Sequence, residues 1–268
     1  MLIRIGYDIR FQIGQPVPII ALLSVHPSRR AFLRGPNGVL VDPPVRTDEY
    51  TDTFGNICTR LLAPPGVLRL TNSTVIEDCG RPDAVCPGAR EIPIEELPPE
   101  TIRFLMSSRF CEVDLLSADA LHLFGNAPRG WERVQAVCDW VHANVAFSYP
   151  HASSTRTALG VYNERIGVCR DFQHLAITFC RALNIPARYA TGYLGDIGVA
   201  AAPSPMDFSA WFEVYLEHRW WTFDARHNTP RIGRVLIATG MDATDVAITT
   251  SFGGAMLSQF EVIAHEMD

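Results

Sequence analysis

One cysteine occupies a position from which a thiol can act as a nucleophile. Cys169 follows Gly167 and lies where an amphipathic helix is predicted to begin. The unpaired N–H groups and positive dipole end of that helix then face the sulfur, which lowers the pKa of a thiol from about 8.5 and can hold an oxyanion. The position indicates attack on a carbonyl group, with simple packing of the side chain as the alternative. The apolar stripe of the helix consists of Phe172, Leu175, Ala176, Phe179 and Leu183.

Four segments occur in an order that is typical of one enzyme family. They read Gly167-Val-Cys-Arg-Asp-Phe-Gln-His-Leu, Asn184-Ile-Pro-Ala-Arg-Tyr-Ala-Thr-Gly-Tyr, Ser209-Ala-Trp-Phe-Glu-Val-Tyr and Trp220-Trp-Thr-Phe-Asp-Ala. Together they resemble the bacterial transglutaminase-like family, papain-related thiol enzymes with a Cys on a helix followed by His and Asp on adjacent strands. The segment Asp52-Thr-Phe-Gly-Asn is similar to the family's N-terminal β-domain, and Gly240-Met-Asp-Ala-Thr-Asp-Val is similar to the segment after the catalytic Asp. The resemblance covers nearly the whole chain.

The resemblance also implies roles for individual residues. Cys169 matches the nucleophile, and Asp224 matches the carboxylate that orients the base. Where the family reads His-Ala-Trp, this chain reads Ser209-Ala210-Trp211, so a serine stands in the place of the general base. A serine hydroxyl does not accept a proton near neutral pH, and general acid–base catalysis is worth about 10²- to 10⁴-fold in rate. This departure leaves two interpretations open.

In the first interpretation, the chain is a cysteine protease-like or acyl-transfer enzyme that works through a Cys169 thioester with a base from elsewhere. His227 is the candidate substitute, because a hairpin turning near residues 218–219 returns the chain alongside Ser209. His174 is five residues beyond the cysteine, about 140° around the helix, and is expected to point away. His151 is a weaker candidate in the segment upstream of the cysteine. An exposed loop position is the alternative for His227 and His151.

In the second interpretation, the same scaffold is a catalytically inactive module that binds a peptide or protein. The thiol then lies in a groove walled by Trp211 and Tyr149, and Asp224 has a structural role. Arg170, next to the thiol, is expected to stabilise a thiolate or contact the substrate, with a surface ion pair as the alternative. Asp171, in the first turn of the helix, suits the dipole as a capping residue.

The elements that must position these residues indicate an α+β fold. Alternation at period two from Ile3 to Phe11 and dense turn residues predict an N-terminal β-sandwich over residues 1–95. Five prolines between Pro82 and Pro99 predict a linker at the boundary. A papain-like transglutaminase-core domain over residues 96–268 is predicted to pack helices on an antiparallel sheet. A helix is expected over residues 131–145, and strands over 187–194, 208–216, 220–224, 234–238 and 259–264.

Composition restricts the partners of the chain. The 268 residues are 47% hydrophobic and 19% charged with a net charge of −6, which offers no attraction to nucleic acid or an anionic membrane. No apolar run approaches the roughly 18 to 20 residues that cross a bilayer, and the N-terminal residues lack a signal-peptide pattern, so we expect a cytoplasmic protein. Seven cysteines leave at least one thiol free. No ligand pattern predicts a metal or cofactor, and the sequence gives no signal for an oligomeric state.

Overall fold

A computed structural model of the chain describes residues 1–201 and 205–267. Within these ranges, three four-stranded antiparallel sheets and one small parallel pair combine with five α-helices. The mixture confirms the predicted α+β class. No helix in the described ranges has the length and apolar character needed to cross a membrane.

Two of the sheets combine strands from both ends of the chain. One has the order β14-β1-β6-β3, and the other has the order β13-β2-β5-β4. Apolar residues of both sheets, such as Ile5 and Ile19, belong to the buried core. The strands are β1 (Leu2–Ile13), β2 (Val17–Ala21), β3 (Leu40–Asp42), β4 (Thr47–Thr51), β5 (Ile57–Ala63), β6 (Gly66–Glu77), β13 (Thr249–Ser251) and β14 (Ala255–Met267).

The C-terminal strand differs from the predicted arrangement. The strand expected over residues 259–264 is part of β14, but β14 pairs with β1 from Leu2↔Met267 to Ile13↔Ala255 and not with the core sheet. A 3-10 helix, Pro27–Phe32, also interrupts the segment predicted to contain only strands. The division at residues 95 and 96 stays a prediction, and the strand pairing adds β13 and β14 to the sheets of the N-terminal segment.

The remaining elements build the layer that carries the predicted chemistry. A third sheet has the order β11-β10-β9-β12. Its strands are β9 (Ala187–Leu194), β10 (Ser209–Leu216), β11 (Arg219–Phe223) and β12 (Arg234–Gly240), and β7 (Ala146–Phe147) pairs with β8 (Ile166–Gly167). The helices are α1 (Pro99–Ile102), α2 (Val113–Phe124), α3 (Trp131–Asn144), α4 (Ala158–Glu164) and α5 (Cys169–Ala182). The predicted helix over 131–145 and the four predicted core strands between 187 and 238 are confirmed to within a few residues.

Helix α5 is the centre of this layer. It packs on β9 and β10 on one side and against α2, α3 and α4 on the other. Every residue from Asp171 to Arg181 is buried, and so is Leu183, the last residue of the predicted apolar stripe. Burial of a helix on nearly all sides fixes its position more tightly than burial of a single face. The N-terminus of α5 is therefore held in a constant place relative to the strand ends of the third sheet.

Candidate active site

Cys169 is the first residue of α5, as the sequence predicts. The turn before it is compact, since a Cβ atom on Gly167 would lie 2.6 Å from the Cβ atom of Asp171. Asp171 is fully buried, and its Oδ2 accepts a hydrogen bond of 2.9 Å from the N–H of Val168. This contact confirms the capping interpretation of Asp171. Glycine at 167 and aspartate at 171 together place the thiol at the start of the helix.

The electrostatic surroundings of the thiol differ from the prediction. Burial raises the pKa of the Cys169 thiol to about 11, and Asp207 acts in the same direction. The positive charge of Arg226 and the backbone N–H of Arg170 favour the thiolate but do not outweigh burial. The expected lowering of the pKa below 8.5 is therefore wrong for the free protein, because desolvation exceeds the effect of the helix terminus. At neutral pH the group is a thiol that needs a base when it attacks.

Asp224 lies directly after β11 and is almost fully buried. Its Oδ1 accepts hydrogen bonds from Gln173 Nε2 at 3.0 Å and from the N–H groups of Arg226 at 3.0 Å and His227 at 3.1 Å. Burial opposes ionisation of Asp224, but the hydrogen bond from His227 and the charge of Arg234 outweigh it and hold the pKa well below its usual range. The side chain is thus an oriented carboxylate at neutral pH.

His227 forms the closest side-chain contact of this carboxylate. Its Nδ1 lies 2.8 Å from Asp224 Oδ2. An ionised carboxylate only accepts hydrogen bonds, so Nδ1 carries the proton and Nε2 of the neutral ring has a free lone pair. Asn228, which follows, has a φ of 51° and donates its backbone N–H to Asp224 O at 2.8 Å. This tight turn lets a histidine three residues after the aspartate fold back onto it.

The β10–β11 hairpin brings this turn to the N-terminal end of β10. Leu216 pairs with Arg219 across a two-residue turn at Glu217 and His218, both with positive φ. Two such residues match the right-handed twist of a hairpin. Ser209 is the first residue of β10, and its buried Oγ has no hydrogen-bond partner among the described residues. The hairpin expected near residues 218–219 is therefore present, displaced by one residue.

A cavity of about 300 Å³ connects these side chains. Cys169, Ser209 and His227 all line it. The other lining residues are Tyr149, Leu194, Asp196, Pro205, Met206, Asp207, Phe208, Arg226 and Arg231. The cavity thus has the proposed nucleophile, a histidine held by a carboxylate and both signs of charge around one space.

Two predicted groove residues are not on this wall within the described part of the chain. Trp211 is only 2% exposed, and its ring fills the space left by Gly192, where a Cβ atom would lie 2.9 Å from Trp211 Cη2. Arg170 is turned away towards the carbonyl of Ser153 and lies 3.6 Å from Asp171. Both side chains have partners within the fold and do not line the cavity that the described residues form, and their roles in substrate binding stay predictions.

The other two histidines have different environments. His174 is fully buried, stacks on Phe110 at 5.0 Å and accepts the N–H of Ala243 at 3.1 Å through Nε2. It points away from Cys169, as predicted. His151 is exposed and contacts Ser148 Oγ at 2.8 Å through Nδ1. Among the described residues lining the cavity, His227 is the only histidine.

Gln173 is a site residue that the sequence reasoning missed. It is fully buried, and Nε2 contacts Asp224 Oδ1 at 3.0 Å and Ala210 O at 3.2 Å. Its Oε1 accepts the N–H of Ala225 at 3.2 Å. A signal was present, since a polar residue four positions after Cys169 lies on the same face of a buried helix. Gln173 fixes the distance between the helix that carries the thiol and the end of β11.

Similarity to known proteins includes the segments that carry the site. A family model described as the transglutaminase-like superfamily matches residues 120–225, which include Cys169, Ser209 and Asp224. The crystal structure of "a Putative Cysteine Protease from Cytophaga hutchinsonii" is 31% identical, with a TM-score of 0.85, and the match covers 100% of this chain and 91% of that chain. The chain belongs to the transglutaminase-like superfamily.

A second relative also matches most of the chain. The uncharacterized protein ML0607 of Mycobacterium leprae (strain TN) is 25% identical over 221 residues, which cover 79% of this chain and 77% of that protein. For this member of the transglutaminase-like superfamily, the predicted family and its α+β core are confirmed. His227 lies beyond the matched range, which ends at residue 225, so its assignment depends on the contacts of this structure.

Proposed function

We propose that this protein is a thiol-dependent enzyme that cleaves peptide or isopeptide amides through a thioester on Cys169, with His227 as its general base. The observation that carries the proposal is the 2.8 Å contact between His227 Nδ1 and Asp224 Oδ2 on the cavity that Cys169 also lines. The similarity to the cysteine protease-like structure from Cytophaga hutchinsonii supports a peptide or protein substrate. Hydrolysis has water as the final acceptor, and an amine in its place gives transamidation.

In the proposed reaction, His227 accepts and returns the proton that the chemistry moves. His227 Nε2 takes the proton of the Cys169 thiol as the sulfur attacks the carbonyl carbon of the substrate. The N–H groups at the start of α5 face the oxygen that becomes negative. The C–N bond then breaks, the imidazolium gives its proton to the departing amine, and a thioester remains. Water, deprotonated by His227, hydrolyses the thioester and restores the thiol.

The high pKa of Cys169 makes the base essential in this scheme. With a pKa of about 11, only about one thiol in 10⁴ is ionised at pH 7. Asp224 stabilises the imidazolium that forms when His227 takes the proton. Ser209, at the position where the family resemblance expects histidine, has no capacity to act as this base. The role of the missing histidine therefore passes to a residue on the other side of Asp224.

The alternative is a catalytically inactive module that binds a peptide or protein in the same cavity. Two features favour it: Ser209 stands where the family resemblance expects the general base, and burial raises the pKa of the Cys169 thiol, which makes the sulfur less reactive. The two functions differ in whether the sulfur becomes acylated.

An acylation assay with p-nitrophenyl acetate distinguishes them without knowledge of the natural substrate. For the enzyme, we expect a burst of about one equivalent of p-nitrophenolate, with an acetyl group on Cys169 detected by mass spectrometry. Cys169→Ala should abolish the burst, and His227→Gln should slow it by about 10²-fold or more. His151→Gln is the matched control, because His151 is a neighbouring histidine that does not line the cavity. A wild-type protein with no burst and no acetylated Cys169 would refute the enzyme and support the binding module.

A further inference from the structure

Asp83 lies in the proline-rich segment predicted as a linker, far in sequence from the site. Its Oδ2 accepts the N–H of Arg231 at 2.9 Å and the Nε–H of Arg234 at 2.8 Å. Its own backbone N–H donates to Arg231 O at 2.9 Å. Three hydrogen bonds therefore attach one residue of the linker to the start of β12, immediately beyond the loop that carries His227.

Arg234 connects this attachment to the proposed base. Its side chain is 6% exposed and bridges two carboxylates, with Nε at 2.8 Å from Asp83 Oδ2 and Nη2 at 2.9 Å from Asp224 Oδ2. Asp224 Oδ2 is the same atom that contacts His227 Nδ1 at 2.8 Å. The Arg234 guanidinium also lies 5.2 Å from the ring centroid of Trp211, and this contact restricts the position of the guanidinium. A continuous chain of charged contacts thus runs from Asp83 to His227.

Asp83, Arg234 and Asp224 alternate in charge, and this alternation affects how readily His227 is protonated. Arg234 shares Asp224 Oδ2 with His227, so its positive charge opposes protonation of the imidazole. The negative charge of Asp83 offsets Arg234 and leaves the negative charge of Asp224 available to stabilise an imidazolium. Burial favours the neutral form of Arg234, yet the two carboxylates outweigh it and raise its pKa. The side chains of Arg234 and Asp224 are 6% and 2% exposed, so screening of the interaction between them is weaker than at the surface.

We infer that Asp83 is a positioning residue for the proposed base, acting through Arg234 to hold Asp224 and to set how readily His227 takes up a proton. The inference rests on the proposed function of His227. Other charged or titratable groups also face His227 from the elements around it. They are Cys169 from α5, Tyr149, Asp196, Asp207, Arg226 and Arg231 from the cavity wall, and Asp139 and His142 from α3, which contact Asn228 and Arg226 O.

The test is an NMR titration of the His227 ring protons in the full-length protein, assigned with His227→Gln. Asp83→Asn keeps an acceptor oxygen but removes the charge, so the midpoint of the His227 titration should fall by about half a unit to one unit. Asp83→Glu should restore it. Arg234→Gln should move the midpoint in the opposite direction, because it removes the opposing positive charge.

Glu91→Gln is the matched control for Asp83→Asn. Glu91 is a buried linker carboxylate that contacts Arg129 at 2.8 Å and Arg133 at 3.3 Å, away from the site. We expect this variant to lose stability without moving the His227 midpoint. If Asp83→Asn loses stability in the same way and leaves the midpoint unchanged, Asp83 is only structural and the inference is wrong. A shifted midpoint in a protein without an acylation burst would keep this inference and reject the proposed function.

Discussion

Replacement of His227 by glutamine distinguishes a Cys169 thiol that is assisted by a base from one that reacts without a base. Glutamine retains an N–H group that can donate to Asp224 Oδ2, as His227 Nδ1 does at 2.8 Å, but it has no basic nitrogen. The turn at Asn228 is therefore expected to survive, and only the proton acceptor is lost. The change isolates the chemical role of the imidazole.

The expected magnitude follows from the pKa of the thiol. At a pKa of about 11, the ionised fraction of Cys169 is about 10⁻⁴ at pH 7. This fraction increases about tenfold with each unit of increasing pH until the pH approaches the pKa. The variant should follow this profile alone. In the wild-type protein, His227 takes the proton as the sulfur attacks, which does not require a preformed thiolate, and the rate at pH 7 should exceed that of the variant by about 10²- to 10⁴-fold.

The assay is alkylation of Cys169 by iodoacetamide between pH 6 and 10, followed by peptide mass spectrometry. Mapping is necessary because all seven cysteines are free thiols and Cys79 is exposed. Cys169→Ala identifies the peptide, and His151→Gln serves as the control for loss of a nearby histidine. Equal rates and identical pH profiles for wild type and His227→Gln would refute the reasoning, since the sulfur would then be independent of the imidazole.

Three further outcomes test other parts of the site and the fold. Ser209→His, which restores the residue expected from the family, should raise acylation by p-nitrophenyl acetate; no gain in a folded variant would mean that the cavity has lost more than its base. Arg226→Gln removes the positive charge that favours the Cys169 thiolate, so alkylation at pH 7 should slow several-fold, whereas an unchanged rate would exclude this charge effect. Burial lowers the pKa of His174, so the unfolded chain binds the extra proton below about pH 6.5 and stability falls with falling pH by up to about 1.4 kcal/mol per unit. In urea unfolding at pH 7.5 and pH 5, His174→Gln should lose less stability on acidification than wild type, and parallel losses would contradict this.

Local patterns predict much of the site. The apolar period of α5 and Gly167 locate Cys169 at a helix start, and the hairpin following β10 locates His227 beside Ser209. These inferences depend on short-range geometry, which periodicity and turn chemistry describe well. Strand pairing brings the end of β11 near Ser209, and the turn at Asn228 completes the placement of His227.

Long-range polar contacts are the part that the sequence does not predict. Asp83 and Arg234 are 151 positions apart, and no local pattern pairs them. The sequence also does not predict the burial of Trp211, because the missing side chain of Gly192 on β9 makes room for its ring. The predicted lowering of the Cys169 pKa fails for a related reason. Burial of the thiol depends on elements from the whole chain, and the helix terminus is only one contribution to the pKa.

The pairing of β14 with β1 has a consequence for how the chain is made. A ribosome releases β1 before β14, so β1 lacks its second neighbour until residues 255–267 have been made. Every residue of the proposed catalytic group has emerged by then. A Cβ atom on Gly195 would lie 2.4 Å from Ala264 O, so β14 also closes against the residue next to Asp196 on the cavity wall. During synthesis, the backbone beside Asp196 therefore gains this packing partner only when β14 docks.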